Sequence, residues 1–490
     1  MAGKIHRNLK FAIQNSKFGG VQRAMACVVL FLVFILSVGR VQAREPLVPA
    51  TKPLEIQMPS FDEKTLSCGI KVLFFKNDDL PLVSAELLIP GGYGRDPEGK
   101  EGLASLMDAT LRNGGAGKLS PEGFDAALEN RAASMDASAD NESFTASFKC
   151  LSKDLPDILD LFADMVMRPE FDEKRFETSK DESLDELNRL EDTPDSLTRV
   201  IFNRALMAHS QYGRWATPKT VSSLTVADVK AFYEKNYGPQ KTVMVITGNF
   251  DEDKVSSQLE KLFGDWKNPV APAASKDAEP LGPTIYFFPK DVTQVFVRWG
   301  VLGIQRHDPN QVPLDVANYI LGGSGFTSRL MREIRSNRGL AYFVDSVSVP
   351  YDVRGIFEVI GGTRPDSLKE YLDTMFKVMG DYAHEGPTDK ELAEAKQSMV
   401  EEFAYNFESP YTLAPYKASL DFHGYPADYL ENYRNKVKDV TRGQAAAAAQ
   451  AILDQKNWVL VVCGPADLEK SLSEFGTVVK VANIFDPLSK

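Results

Sequence analysis

Side chains able to hold a catalytic metal are few and widely spaced in this chain of 490 residues. Zinc sites on a helix use two histidines four positions apart, because that spacing puts both imidazoles on one face. Beyond residue 43 the histidines are His209, His307, His384 and His423. No two of them are three or four positions apart, so their spacing predicts no zinc site. A cluster of histidines formed only by the fold is the minor alternative.

The cysteines suggest neither a metal site nor a complete set of disulfides. Cys27 lies in the leader described below, which leaves Cys68, Cys150 and Cys463, an odd number without the spacing of zinc motifs. Each lies in an apolar run, so we interpret all three as buried small hydrophobic residues. A Cys68–Cys150 disulfide in an oxidising compartment is the alternative.

Ser105 and Asp108, three positions apart on a candidate helix, could indicate a serine hydrolase. That chemistry needs a histidine to accept the serine proton and a sharp turn that exposes the nucleophile. Neither feature accompanies this pair in the sequence. We therefore do not expect serine catalysis.

Composition and charge limit the class of protein and its partners. With 43% apolar and 25% charged residues, the chain has the composition of an ordinary globular protein. Its formal net charge is −12, and the first 43 residues carry basic but no acidic side chains, so the remainder is more negative still. Such a body repels phosphate backbones, so we expect no nucleic-acid partner.

Residues 1–43 have the features of a secretory signal peptide. An uncharged apolar run at 24–38 follows a basic stretch and precedes Val41-Gln42-Ala43, whose small residues suit signal peptidase. The run is shorter than the roughly 20 residues that a membrane-spanning helix needs. We predict cleavage after Ala43 and a periplasmic or secreted body. An uncleaved N-terminal membrane anchor is the alternative.

The elements that position functional side chains occur twice. Residues 224–250 and 440–466 share a helix that starts with threonine, a polar break, a strand of β-branched residues and a glycine turn. Residues 155–177 and 368–392 are both amphipathic helices and keep nearly the same separation. A single repeat over such a distance indicates a duplicated domain.

Two homologous domains are therefore predicted, at 53–267 and 284–490, with an extended, proline-rich linker at 268–283. Apolar residues partly alternate in the strand runs, as in antiparallel sheets with one buried face. An α+β architecture, with helices packed on one face of a mainly antiparallel sheet, fits each half. The strand at 143–149 could accept an extended peptide if its edge were open, although a core strand is the default.

Several phrases in order resemble the insulinase/pitrilysin family of zinc metallopeptidases, in the short two-domain form of mitochondrial and bacterial processing peptidases. They are LSCGIKVLFFKNDDLPLVSAELLIPGG, KEGLASLMDATLRNGG, RPEFDEKRFE, residues 212–239 and LGGSGFTSRLMREIRSNRGLAYFVDS. The resemblance spans roughly residues 55–485. It implies two homologous α+β domains, as the repeat already predicts.

The resemblance also implies a zinc site that this chain has lost. Active members carry His-x-x-Glu-His on the first long helix and a second glutamate further along. Here Ser105 and Ala109 occupy the histidine positions and Asp108 that of the base, while the distal Glu186 is kept. Without a nitrogen ligand these acids cannot hold zinc usefully. We expect no metal in this chain and interpret both acids as solvated or paired helix residues.

The second half keeps Arg335 and Tyr342, in RSNRGLAY. The resemblance implies that the tyrosine donates a hydrogen bond to the scissile carbonyl as that oxygen becomes anionic, while the arginine holds a nearby substrate carbonyl or carboxylate. It also implies that Gly322, Gly323 and Gly325 bring backbone close to the substrate. Outside this phrase, an ordinary loop and two structural side chains are the simpler interpretation.

These observations predict the zinc-free subunit of an exported heterodimeric zinc metallopeptidase. A homologous partner chain supplies zinc, this chain supplies Arg335 and Tyr342, and the substrate is a peptide or unfolded polypeptide. Two alternatives are a scaffold subunit of an envelope protein complex and a peptide-binding module that does not cut.

Overall fold

The computed structural model describes residues 61–269 and 276–488. The predicted signal peptide at 1–43 and part of the predicted linker lie outside the described residues. Within the described ranges, no helix has the length and apolar character needed to cross a membrane.

The first half builds a six-stranded sheet in the order β1–β2–β6–β3–β5–β4, in which only β2 and β6 run parallel. The strands are β1 Asp62–Thr65, β2 Lys71–Lys76, β3 Leu82–Pro90, β4 Ser134–Ala139, β5 Ser143–Leu151 and β6 Val243–Gly248. The helices are α1 Leu103–Asn113, α2 Pro121–Glu129, α3 Leu155–Met167, α4 Glu173–Arg189, α5 Pro194–Leu206, α6 Pro218–Ser222, α7 Val226–Asn236 and α8 Glu252–Phe263.

The second half builds another six-stranded sheet in the order β12–β7–β11–β8–β10–β9. The strands are β7 Thr284–Pro289, β8 Val295–Leu302, β9 Ala341–Val349, β10 Ile356–Thr363, β11 Val459–Gly464 and β12 Val478–Lys480. The helices are α9 Gln311–Asn318, α10 Leu368–Glu385, α11 Asp389–Glu402, α12 Pro410–Phe422, α13 Tyr429–Asp439, α14 Arg442–Leu453 and α15 Glu469–Leu472. Two π-helical segments, Tyr319–Gly323 and Met331–Ser336, lie between α9 and β9.

The predicted repeat is present in three dimensions. Strands β6 and β11 hold the same place in the two sheets, each parallel to one neighbour and antiparallel to the other. The helices before them begin alike, because Thr225 and Thr441 each cap the helix N-terminus through a reciprocal side-chain box. Only the outermost strand differs, since β1 is antiparallel to β2 whereas β12 is parallel to β7. The predicted α+β class, with mainly antiparallel sheets, is confirmed.

One helix from each half packs on the sheet of the other half. Helix α5 packs on β8 and β11, and helix α12 packs on β6, β3 and β2. Both helices begin with proline, which is pre-organised for a first helical turn. The helices of each half cover one face of its own sheet, as predicted, and the exchanged helix covers the opposite face.

This exchange explains the unbroken apolar runs of the two central strands. Along β11, Leu460 and Val462 face the helices of their own half, whereas Val459 and Val461 pack with α5. Residues on both faces of a strand must be apolar when both faces are buried. The domain boundaries at 53–267 and 284–490 stay predictions, because α5 and α12 each join the sheet of the opposite half.

The three cysteines of the described ranges are free. Cys150 and Cys463 are buried in β5 and β11, which fits their interpretation as small hydrophobic residues, whereas Cys68 is only partly buried, in the turn before β2. On β5, Cys150 lies opposite Val83. The alternative of a Cys68–Cys150 disulfide is therefore wrong for this structure.

Candidate functional site

Arg335 and Tyr342 are brought together by a tight reversal of the chain. Arg335 lies in the π-helical segment Met331–Ser336, and Tyr342 is the second residue of β9. Gly339 adopts a positive φ of 65°, and its N–H donates to the Arg335 carbonyl at 2.9 Å. A left-handed glycine just after a helical turn is the usual way to end it and send the chain back. Strand β9 therefore starts beside the segment that carries Arg335.

The Arg335 guanidinium is flanked by two aromatic rings. Its central carbon lies 4.7 Å from the centroid of the Tyr342 ring and also 4.7 Å from that of Phe326. Both distances are within the range of cation–π attraction. Arg335 is half-buried, whereas Tyr342 is 76% exposed and Phe326 is 67% exposed. The structure thus presents the predicted pair at the surface of the described chain, together with a third side chain that we did not predict.

Two neighbouring arginines form ion pairs with glutamates, whereas Arg335 has no such partner among the described residues. Arg332 reaches Glu391 at 3.8 Å, and Arg338 reaches Glu370 at 3.6 Å. No carboxylate of residues 61–269 or 276–488 lies within ion-pair distance of the Arg335 guanidinium. A positive charge oriented by rings and not by an acid remains able to bind carbonyl or carboxylate oxygens.

The three glycines before this segment have different environments. Gly322 is buried, and a Cβ there would lie 2.4 Å from the Ser346 amide nitrogen on β9, so only glycine allows this close approach. Gly323 is exposed, and Gly325 has a positive φ of 57° with open space around it. Their proposed contact with substrate stays a prediction, and the positive φ of Gly325 shapes the turn that presents Phe326.

Helix α1 places the three residues predicted to replace a metal site at very different depths. Ser105 is exposed, Ala109 is half-buried and Asp108 is only 4% exposed. The helix begins where the buried Asp96 accepts hydrogen bonds from the backbone N–H groups of Gly102 and Ala104, each at 2.8 Å. Burial raises the pKa of Asp96 to about 7, partly offset by those two hydrogen bonds.

Asp108 is neither solvated nor paired, so our interpretation of this residue is wrong. Neither of its carboxylate oxygens has a hydrogen-bond partner among the described residues. Burial, followed by repulsion from Asp96 and Asp140, raises the pKa of Asp108 well above its usual range. A buried carboxyl whose pKa is raised favours its neutral form, which weakens it as a base or an anionic ligand.

Glu186, on α4, lies near the same region but is exposed. Burial raises the pKa of the Tyr93 phenol to about 12, with smaller contributions from acids that include Asp108 and Glu186. Both acids therefore contribute to the electrostatic environment of Tyr93. Zinc still does not fit these residues, because Ser105 and Ala109 offer no nitrogen and the raised pKa of the buried Asp108 disfavours an anionic ligand.

Another group of possible ligands joins the two halves. Single ligand atoms of Glu142, Asp352 and His423 all lie within 4.8 Å of one another. Arg306 already donates to both acids, at 2.8 Å for Asp352, and the Glu142 carboxylate also accepts from the Tyr212 hydroxyl at 2.9 Å. Because the Arg306 guanidinium already pairs with both carboxylates, we interpret this cluster as a hydrogen-bonded contact between the halves.

The sheet edges decide where an extended peptide could pair. Strand β5 lies between β3 and β4, so its backbone has no open edge and the default of a core strand is confirmed. Strands β4 and β9 end the two sheets, and β9 pairs with β10 alone among the described strands. The exposed Tyr342 therefore lies on an edge strand.

Phe326 is the residue at this site that the sequence analysis missed. It follows Gly325 in a short turn, Gly325–Thr327, and lies nine positions before Arg335. That spacing matches neither a helix face nor a strand face. The available signal is an aromatic residue inside a glycine-rich turn, where burial does not require one.

Comparison with known proteins identifies the family. Residues 71–216 match the insulinase family, peptidase family M16, and residues 223–399 match the peptidase M16 inactive domain. These two matches cover most of the chain.

Individual relatives agree with the family matches. An uncharacterized zinc protease of Streptomyces coelicolor is 30% identical over 256 residues, which are 50% of this chain and 56% of that protein. The match thus spans little more than half of that relative's length. A protein of Helicobacter pylori described as a non-peptidase homolog is 24% identical over 343 residues, which are 68% of this chain and 77% of that one.

A solved structure shows the same fold. The crystal structure of a peptidase M16 inactive domain from Pseudomonas fluorescens aligns with a TM-score of 0.76 at 26% identity, covering 83% of this chain and 98% of that one. The duplicated α+β architecture, the sequence matches and this likeness lead to one conclusion. The chain belongs to the M16, or insulinase, family of peptidases.

Proposed function

We propose that this chain is the zinc-free, substrate-contacting subunit of an exported heterodimeric M16 metallopeptidase. A homologous sister chain supplies the His-x-x-Glu-His site with its zinc, and this chain supplies Arg335 and Tyr342. One observation carries the proposal: Arg335 lies against the exposed Tyr342 in a chain whose predicted metal positions offer no nitrogen ligand.

The chemistry of the pair suits peptide hydrolysis in trans. Tyr342 donates its phenol hydrogen to the scissile carbonyl as negative charge develops on that oxygen. A donor fixed in place before the reaction stabilises the transition state without reorganisation. Arg335, whose guanidinium has no carboxylate partner among the described residues, holds a neighbouring carbonyl or carboxylate of the same substrate.

The edge strand supports an extended polypeptide as the substrate. Strand β9 offers the backbone groups of its outer edge for pairing, and an added strand brings its main chain next to Tyr342. A folded protein has few extended segments free to pair in this way. The substrate class is therefore a peptide or an unfolded chain, and the predicted signal peptide puts the complex in the periplasm or outside the cell.

Cleavage by the reconstituted complex tests the proposal. The chain is mixed with a zinc-bearing M16 chain from the same organism, and hydrolysis of fluorescein-labelled casein is followed. Replacing Tyr342→Phe removes one hydrogen-bond donor, so we expect kcat to fall by about 10²–10³-fold. Size-exclusion chromatography should show that the two chains still associate.

Tyr405→Phe is the matched control, since Tyr405 is a similarly exposed tyrosine, 66% accessible, outside this site. It should cut at the wild-type rate. Equal rates for wild type and Tyr342→Phe would contradict the proposed role of the pair.

Capture of peptides without cleavage is the second candidate, because the same exposed pair and open edge also suit binding alone. Fluorescence anisotropy of labelled casein with the lone chain distinguishes the two. Tight binding with no cleavage after addition of sister chains favours capture. A scaffold role leaves the pair idle, and then substitution of Arg335 changes neither binding nor cleavage.

A further inference from the structure

We infer that Phe326 is a positioning residue that holds the Arg335 guanidinium ready for a substrate carbonyl or carboxylate. This inference rests on the proposed function of the Arg335–Tyr342 pair and extends it to a third side chain. Its basis is the placement of one cation between two exposed rings.

Burial does not explain an aromatic residue at position 326. Phe326 is 67% exposed and belongs to none of the hydrophobic clusters formed by the described residues. Its ring nevertheless has a defined neighbour, because the Arg335 guanidinium carbon lies 4.7 Å from the ring centroid. An exposed phenylalanine ring this close attracts the cation and so limits the orientations that the guanidinium adopts.

The backbone around Phe326 is fixed by its own turn. The Ser328 N–H donates to the Gly325 carbonyl at 3.0 Å, and the Thr327 hydroxyl donates to the Ser324 hydroxyl at 2.9 Å. The left-handed conformation of Gly325 allows the chain to enter this turn. The ring is therefore presented from a hydrogen-bonded turn.

An aromatic ring and a carboxylate can each orient an arginine, but only the carboxylate neutralises its charge. A carboxylate partner would neutralise the guanidinium and occupy its donors, as Glu391 does for Arg329, with Oε2 at 2.6 Å from Nη2. Two aromatic rings restrict the guanidinium through its π-face and leave the N–H groups and the charge available. This arrangement suits a site that must bind an incoming carbonyl or carboxylate.

The first measurement examines the stack in the lone chain. In protein labelled with ¹⁵N-arginine, the Arg335 Nε–H resonance is assigned by its loss in Arg335→Lys. Ring currents from two rings should shift this resonance, and Phe326→Leu should remove part of the shift while Phe326→Tyr keeps it. An unchanged resonance in Phe326→Leu overturns the inference, whatever the fate of the proposed function.

The second measurement uses the reconstituted complex and labelled casein. Leucine keeps apolar bulk but lacks a π-face, so Phe326→Leu should raise KM at least about threefold with kcat nearly unchanged. Phe326→Tyr should restore the wild-type KM, and Tyr405→Leu, at an equally exposed aromatic position, should not alter it. A wild-type KM in Phe326→Leu, or an equal loss in Phe326→Tyr, overturns the inference.

Arg335→Ala distinguishes failure of the proposed function from failure of the positioning role of Phe326. If this variant cuts casein normally, the proposed function fails, and the resonance experiment still decides whether the stack exists. If Arg335→Ala loses activity while both Phe326 variants match wild type, the proposed function stands and only the positioning role is rejected.

Discussion

Asp108, which we predicted from the sequence to occupy the position of a lost catalytic base, lies buried without a hydrogen-bond partner among the described residues. Burial, followed by repulsion from Asp96 and Asp140, raises the pKa of its carboxyl well above the usual range. The native state therefore prefers the neutral acid, whereas the unfolded chain ionises near pH 4. Because the folded pKa is the higher one, stability associated with Asp108 is fully present below the unfolded pKa and declines as pH rises towards the folded pKa.

Asp108→Leu should stabilise the protein. The substitution replaces an unsatisfied buried polar group by an apolar one of similar size, which should raise the free energy of unfolding at pH 7 by about 1–3 kcal/mol. Urea unfolding measures the change. Ser105→Ala, at an exposed position of the same helix, should stay within about 0.5 kcal/mol of wild type. Destabilisation by Asp108→Leu would mean that the carboxyl does have a partner.

At the scale of elements, the exchange of α5 and α12 couples the two halves through their sheets. Phe202, on α5, is fully buried among residues of β8 and β11. A Cβ added at Gly300, on β8, would lie 2.5 Å from the tip of the Phe202 ring. Glycine at that position thus makes room for a side chain from the other half.

Phe202→Ala should loosen the second sheet although the change lies in the first half. Removal of a buried phenylalanine costs about 3–5 kcal/mol, and the cavity opens against β11. Hydrogen exchange of the β11 amides should therefore quicken. Phe162→Ala, equally buried on α3 but within the core of the first half, is the matched control and should leave local protection of β11 nearly unchanged. Equal effects of both variants on β11 would argue against coupling through α5.

Periodicity and repetition were sufficient to predict the duplicated α+β fold, because β6 and β11 and the threonine-capped helices before them carry local signals. The exchange of helices was not predicted. An apolar helix face shows that a helix is buried but not which sheet buries it, and the only clue was that the central strands are apolar on both faces.

At the candidate site, too, local sequence patterns did not report contacts that depend on the fold. Arg335 and Tyr342 were found because they lie in one short phrase, whereas Phe326 depends on a turn whose direction follows from Gly325 and its hydrogen bonds. The burial of Asp108 likewise depends on how α1 packs, and spacing along the chain does not report it.

For the whole molecule, the contact of Glu142 with Arg306 and Asp352 joins the two halves beside His423. Burial, followed by repulsion from Arg306 and a smaller effect of His307, lowers the pKa of His423 to about 4. The carboxylates of Asp352 and Asp140 oppose this shift. The folded protein therefore keeps this imidazole neutral under conditions in which the unfolded chain protonates it.

Acidification should weaken the protein through His423. Its folded pKa lies below the unfolded value, so the stabilisation is present above about pH 6.5 and is lost as pH falls towards 4. We expect a loss on the order of 1–2 kcal/mol in wild type that His423→Gln does not show. His384→Gln, at an exposed histidine, is the control and should keep the wild-type slope. An identical pH slope in His423→Gln and wild type would contradict this assignment.

The packing of α5 and α12 on the sheets of the opposite halves also restricts which halves of related chains can be combined in a hybrid protein. A hybrid joined at the linker would combine each sheet with a foreign covering helix, because α5 and α12 are encoded on the opposite side of that junction. Hybrids between relatives should fold well only when each of these helices comes from the same parent as the strands beneath it. In this chain, the part that could be exchanged with its packing intact is therefore a sheet together with its covering helix, and not a half of the sequence.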